Sequence, residues 1–309
     1  MIFNMSSQVF LSVIVCTYKR PEILGKCLSA LQKQDVAADE YEVMVVDNDP
    51  GQSAYPVILP YLKAHSKFRY FCEENIGISH ARNRGLQESR GSFLAYVDDD
   101  ALACVSWCRR ILAAFQSVQP VPSAVGGPIY PWIDREVPVW FSESLEVRTW
   151  GVKACFLQKN LAKVGFSGSN MAFPKSVLES IGGFDPSFGL KGAVLRMGED
   201  TELFSRLYSR SPNFWYDPKI VVNHYVSEKA LSIKSRVLRW YQNGFCRGRL
   251  ERESRAGLLT LIHFLKVPAF FFVFAPWRLC VRSSRKTELV RVLQDLAFLA
   301  GRASGSLRR

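Results

Sequence analysis

Asp98, Asp99 and Asp100 follow directly on the apolar run "SFLAYV". Such a run reads as a buried strand. Carboxylates at its end suit a hard divalent cation, because Mg²⁺ and Mn²⁺ take oxygen ligands, often one or two carboxylates plus phosphate oxygens of a bound molecule. The competing reading is a solvated turn with capping carboxylates. A second acidic pair, Glu199 and Asp200, opens the helical pattern "GEDTELFSRLYSR" behind the glycine-rich "GLKGAV". Acids there gain from the helix dipole, and the same pair could act as a general base. His224, in "VVNHYV", is by residue type alone more often a core or edge histidine than a ligand. Asp47, in "VVDNDP", is a turn former or an acceptor for the imide N–H of a pyrimidine base. "GISHARNRG" supplies His80, Arg82 and Arg84, either as a basic surface helix or as cations for a diphosphate.

The elements that must position these residues alternate. "FLSVIVCTY" (10–18), "YEVMVVDND" (41–49), "FRYFCEE" (68–74) and "SFLAYV" (92–97) read as strands. "RPEILGKCLSALQKQ" and "GISHARNRGLQES" read as helices between them, as does "SAYPVILPYLKAHS", weakened by Pro56 and Pro60. The pattern predicts an α/β fold with a mostly parallel sheet flanked by helices. Ligands of such sheets sit at the carboxyl ends of the strands, where Thr17, Asp47 and the three aspartates all fall. Later, "VSWCRRILAAFQSV", a segment from Lys175 and residues 197–210 read as helices, and "AVGGPIY" and "FWYDPKIVVNHYV" (214–226) as single strands. Trp132, Trp140 and Trp150 lie in a stretch of little periodicity, suited equally to stacking on sugars and to packing.

Composition narrows the class. The chain has 309 residues, 48% of them apolar, which is ample for a core and excludes whole-chain disorder. Eight cysteines are scattered without a C-x-x-C, as expected of a reducing cytoplasm, and the start lacks a basic, cleavable leader. The net charge of +12 is concentrated: residues 234–309 hold 16 Lys and Arg against 4 Asp and Glu, and the rest is balanced. The boundary near residue 233 divides a domain over 1–233 from a basic, apolar, helical extension over 234–309. Within the extension, "GLLTLIHFLKVPAFFFVFAPWRLCV" (257–281) is interrupted by His263, Lys266, Pro268 and Pro276, against the ~20 apolar residues of a membrane span. Basic flanks suit an in-plane anchor on an anionic membrane surface, at the inner face of the cytoplasmic membrane; the alternative is a helical subdomain with solvated basic residues. No nucleic-acid motif is present, and the aromatic residues do not alternate with basic ones.

"SVIVCTYKRP", "VVDNDP", "NIGISHARNRG", "FLAYVDDDA", "FSGSNMAF", "IGGFDP" and "GEDTELFSRL" occur in the order seen in family-2 glycosyltransferases of the GT-A fold, and the resemblance runs from about residue 10 to 226. It implies an inverting transferase that moves a sugar from a nucleotide-sugar donor to a glycan or lipid-linked acceptor in polysaccharide or glycoconjugate biosynthesis. It divides residues 1–233 into a nucleotide-binding half, about 10–128, and an acceptor half, about 129–233. It implies Thr17, Arg20, Asp47, Arg82, Asp98, Asp99 and Asn170 as donor contacts. Asp98 and Asp100 become a D-x-D pair for Mg²⁺ or Mn²⁺, with His224 completing the metal shell as in some relatives. Asp200 becomes the catalytic base, with Glu199 beside it. The Q-x-x-R-W element of processive synthases is missing, which favours transfer of a single sugar. The alternatives are a sugar nucleotidyltransferase attacking phosphorus, or a membrane scaffold that binds nucleotide sugars or glycans without turnover.

Overall fold

Unbroken β-branched runs need cover on both faces, and β1 (Leu11–Thr17) and β2 (Tyr41–Asp47) are buried at every position. The chain is described here by a computed structural model covering residues 11–157, 165–189, 197–210, 212–253 and 285–307. Between and after these strands come α1 (Pro21–Gln32), α2 (Tyr55–Ala64), β3 (Phe68–Cys72), α3 (Ile78–Glu88) and β4 (Phe93–Asp98). β5 (Ala101–Ala103), α4 (Trp107–Ser117), β6 (Ala124–Gly126), β7 (Ile129–Trp132) and β8 (Cys155–Phe156) follow. The remainder comprises β9 (Met171–Pro174), α5 (Lys175–Ser180), α6 (Glu199–Arg210), β10 (Phe214–Tyr216), β11 (Val222–Tyr225), α7 (Ile233–Glu253) and α8 (Arg285–Leu307). The helix expected around Pro56 and Pro60 forms, with Pro56 in its first turn, where a missing N–H costs nothing.

The large sheet has the order β3-β2-β1-β4-β9-β6-β10-β8. β1 to β4 pair in parallel, whereas β9 is antiparallel to both of its neighbours. This is an α/β fold with a mostly parallel sheet. A small sheet, β5-β11-β7, lies beyond the end of β4. Two segments expected as single strands are each divided between the sheets. "AVGGPIY" breaks at Gly127, where an added Cβ would lie 2.0 Å from the Ile220 carbonyl oxygen. "FWYDPKIVVNHYV" breaks after Tyr216, where Asp217 and Pro218 form a turn.

The chain divides into two compact units. The first takes Met1–Tyr130, Val147–Ala193 and Glu199–Tyr225 and holds every candidate site residue. Its two apolar clusters are built around Leu24, Leu28 and Trp107 and around Ile14, Phe173 and Phe204. The second takes Pro131–Glu146, Val194–Gly198 and Val226–Arg309. In it, α7 and α8 run side by side in the same direction, backbone against backbone. A Cβ on Gly301 would lie 1.8 Å from the Tyr241 carbonyl oxygen, and one on Gly305 2.0 Å from that of Phe245. The apolar run 257–281 lies outside the described residues.

α3, which carries Arg82, is seated on β1 at Gly85. A methyl group there would meet Ile14 Cγ2 at 2.5 Å. Gly85→Ala is therefore expected to cost ~1–3 kcal/mol by overpacking, read as a lower urea midpoint at unchanged slope.

Candidate active site

The end of β4 and the turn after it present the three aspartates differently. Asp99 is fully buried, accepts a 2.6 Å hydrogen bond from Thr17 Oγ1 at the end of β1 and is ion-paired with Arg20. Arg20 Nη1 also donates to Asp100 Oδ2 at 2.7 Å. Asp98 is partly exposed and accepts from Ser169 Oγ at 2.5 Å. β11 pairs antiparallel with β5, with His224 opposite Ala101, and this register delivers the imidazole to the aspartates. His224 Nε2 lies 3.2 Å from Asp100 Oδ1 and 3.8 Å from Asp98 Oδ2.

Asp98, Asp100 and His224 thus form one group, each offering an atom within 4.8 Å of the others. The donor set fits a divalent cation on a further ground: Asp100 Oδ1 is buried and has no hydrogen-bond partner. Burial raises the Asp98 carboxyl, but His224, Arg82 and Ser169 together hold it well below the usual carboxylate range. Burial likewise works against a charged His224, and Asp100 and Asp98 outweigh it, raising its pKa.

Arg82 joins this group to the acidic pair at the start of α6. Its Nη2 lies 3.6 Å from Asp98 Oδ1, and its Nη1 2.7 Å from Asp200 Oδ1 and 3.2 Å from Glu199 Oε1. The second oxygen of Asp200 accepts from the Gly168 N–H at 2.7 Å. Burial, and then the neighbouring Asp200, push the Glu199 carboxyl up to about 7 against the pull of Arg82. Asp200, held at one oxygen by Arg82 and at the other by the Gly168 N–H, is the candidate base, with Glu199 beside it.

Two expected site residues lie apart from this cluster. Asp47 is fully buried; its oxygens accept from the Asp49 and Ala54 N–H groups at 3.0 and 2.8 Å and from the Tyr70 hydroxyl at 3.1 Å. It shapes its own turn. Asn170 is also buried. It accepts from Trp107 Nε1 at 2.9 Å and donates to the Pro128 and Ile220 carbonyls at 3.1 and 2.8 Å, acting as a brace inside the fold. Arg84 points away into a pair with Glu88 at 3.0 Å. Trp150 packs against the Ile14–Phe204 cluster and Trp140 against Phe141 and Leu231, so packing accounts for both.

Gly168 and Ser169, the direct neighbours of Asn170 in "FSGSNMAF", touch Asp200 and Asp98, although neither residue type marks a site by sequence alone. Asn48, which by sequence belongs to the turn pattern "DNDPG", has a further role. The Asn48 side chain accepts from the Gly77 N–H at 2.6 Å and donates to the Glu73 and Asn75 carbonyls, holding the entry to α3. Gly77 has a φ of 150°, which favours glycine there.

A family model described as "Glycosyl transferase family 2" matches residues 12–182. The succinoglycan biosynthesis protein ExoM of Rhizobium meliloti is 29% identical over 249 residues, 79% of this chain and 76% of that protein. A glucosyl-dolichyl phosphate glucuronosyltransferase of Haloferax volcanii is 26% identical over 239 residues, 76% and 75% of the two chains. Among solved structures, a mannosyltransferase from Pyrobaculum calidifontis in complex with GDP-Man and Mn²⁺ superposes with a TM-score of 0.63. It has 17% identity, over 98% of this chain and 88% of that one. The likeness to that structure is one of fold, the GT-A arrangement.

The raised Glu199 pKa has a consequence for stability. A carboxyl that binds its proton more tightly when folded favours the folded state at low pH, and this contribution is lost as pH rises from the ordinary glutamate value of 4.5 through about 7. Melting temperatures of the wild type and Glu199→Gln should be closest at the acid end of that window. The wild type should fall behind the variant as pH climbs through that window, and the gap should stop widening above about 7.

Proposed function

The chain belongs to glycosyl transferase family 2, and from that premise we propose that it moves one sugar from a nucleotide-sugar donor to a glycan or lipid-linked acceptor, with inversion. The observation that carries this reading is a single guanidinium between two functional groups. Arg82 lies 3.6 Å from Asp98, a member of the candidate metal trio, and 2.7 Å from Asp200, the candidate base. The relatives named above, one from polysaccharide biosynthesis and one named for a dolichyl phosphate substrate, fit acceptors of this class.

Asp98, Asp100 and His224 would hold Mg²⁺ or Mn²⁺. When bound, such an ion supplies positive charge against the negative charge that builds on the departing nucleoside diphosphate. Arg20, its side chain half exposed beside Asp99 and Asp100, is the cation that faces the donor from the β1 side. Thr17 and Asp99 set its position, and the Asp47 turn supports the nucleotide end. On the opposite face Asp200 accepts the proton of the acceptor hydroxyl as that oxygen attacks the anomeric carbon. The sugar–phosphate bond breaks, its electron pair leaves with the nucleoside diphosphate, and one in-line displacement inverts the anomeric centre. Asn170 contributes from beneath by bracing the segment that carries Gly168 and Ser169.

Two substitutions test these roles together. Asp100→Asn should abolish Mn²⁺-dependent binding of UDP and GDP in calorimetry while the fold is kept. Asp200→Asn should bind donor as the wild type does but transfer ~10²–10⁴-fold more slowly, the usual share of general-base catalysis. Unchanged Mn²⁺-dependent binding in the first variant would remove the metal assignment. Lost donor affinity with full turnover at saturation in the second would remove the base.

Residues 234–309 are the proposed contact with an anionic membrane surface. No helix among the described residues is long and apolar enough to cross a membrane. What supports the surface reading is the concentration of the whole +12 in this part together with exposed Leu238, Leu289 and Leu293 on α7 and α8. Flotation with anionic vesicles should recover the protein at low salt and release it as salt rises, since each basic residue near such a surface contributes ~1 kcal/mol. Failure to float at low salt would overturn this reading.

A further inference from the structure

A donor diphosphate arrives from solvent and must meet a cation that solvent reaches. The Arg20 side chain, 50% exposed, qualifies; that of Arg82 is 4% exposed and already faces three carboxylates. Its Cζ lies 5.2 Å from the Phe184 ring centre. On another side it lies directly on Gly168, where a Cβ would come within 1.9 Å of Arg82 Nη2 and 2.8 Å of its Cζ. The same Gly168 donates its N–H to Asp200 Oδ2, while Arg82 donates to Asp200 Oδ1 at 2.7 Å. The carboxylate is therefore gripped at both oxygens, and the two gripping groups are in contact with each other. No side chain larger than hydrogen fits at position 168 without moving the guanidinium.

We propose that Arg82 is a positioning residue for the base Asp200 rather than a contact to the donor, and that Gly168 is the seat that lets it reach. The proposal rests on the reading of Asp200 as the base. Arg82 and Gly168 together set where the carboxylate points, and a lysine at 82 keeps the charge but loses the planar fork that spans the two acidic groups.

The test uses the full chain with Arg82→Lys, Gly168→Ala, Asp200→Asn and the Arg82→Lys/Asp200→Asn double variant. Arg82→Lys should lower kcat ~10²-fold, as a misplaced catalytic group does. Its affinity for UDP or GDP with Mn²⁺ should stay within ~3-fold of the wild type, because the lost interaction belongs to the transition state. Gly168→Ala should shift the same two quantities in the same directions, and it carries the test should Arg82→Lys fail to fold. In the Asp200→Asn background Arg82→Lys should cost little further rate, as residues acting as a unit do. The melting temperatures of the wild type, Arg82→Lys, Asp200→Asn and their double variant give a readout that needs no substrate: the losses from Arg82→Lys and Asp200→Asn should be less than additive. Diphosphate affinity that falls ~10-fold while kcat at saturation holds would make Arg82 a donor contact and overturn the proposal, as judged by the same division of binding from rate. Additive melting losses would overturn it as well. A wild type that binds neither nucleotide would instead count against the transferase reading, with the melting cycle still deciding the clamp.

Discussion

Five carboxylates converge at one end of this sheet, and their mutual repulsion is the constraint around which the site is organised. Asp98, Asp99 and Asp100 leave β4 together, and Glu199 and Asp200 open α6 on the other side of Arg82. In a partly buried setting such repulsion is several times stronger than in water. Two guanidiniums divide the task. Arg20 takes Asp99 and Asp100, and Arg82 takes Asp98, Glu199 and Asp200. The remaining demand shows as a buried Asp100 oxygen that makes no hydrogen bond and as a Glu199 whose pKa is pushed up to about 7.

Strand register turns that compensation into geometry. β9 runs antiparallel to β4, with Met171 opposite Tyr96, so residues 168–170 emerge beside the end of β4, where Ser169 meets Asp98. Asn170 ties this segment to Trp107 on α4 and to the carbonyls of Pro128 and Ile220. A side chain that touches no candidate ligand thus governs two residues that do the positioning.

The strands of the first hundred residues were legible because each is a short run dominated by apolar residues, and the polar residues at their ends stood out against it. Asp98, Asp100 and Glu199–Asp200 could be singled out by type and placement alone. Less legible was anything that depends on a partner distant in sequence. The family resemblance implied Asp47 and Asn170 as donor contacts, yet their oxygens and amide are taken up by groups 2 to 63 residues away. Gly168 carried no signal, since its importance lies in a backbone N–H and an absent side chain. The two divided strands were hidden for a similar reason: nothing local in "AVGG" or "FWYDP" says that the chain changes sheets there.

The place of β9 also bears on the order of assembly. Among the described strands it alone joins the β1–β4 block to β6, β10 and β8, although β6 precedes it in the chain. As the polypeptide leaves the ribosome, N-terminal parts can condense first, and β1 to β4 form a block from consecutive segments. β6 must then wait, unpaired on that side, for a strand made some fifty residues later. Asp98 is likewise synthesised well before Ser169, which becomes its partner. The acidic end of the sheet is among the first parts to be made and among the last to be completed.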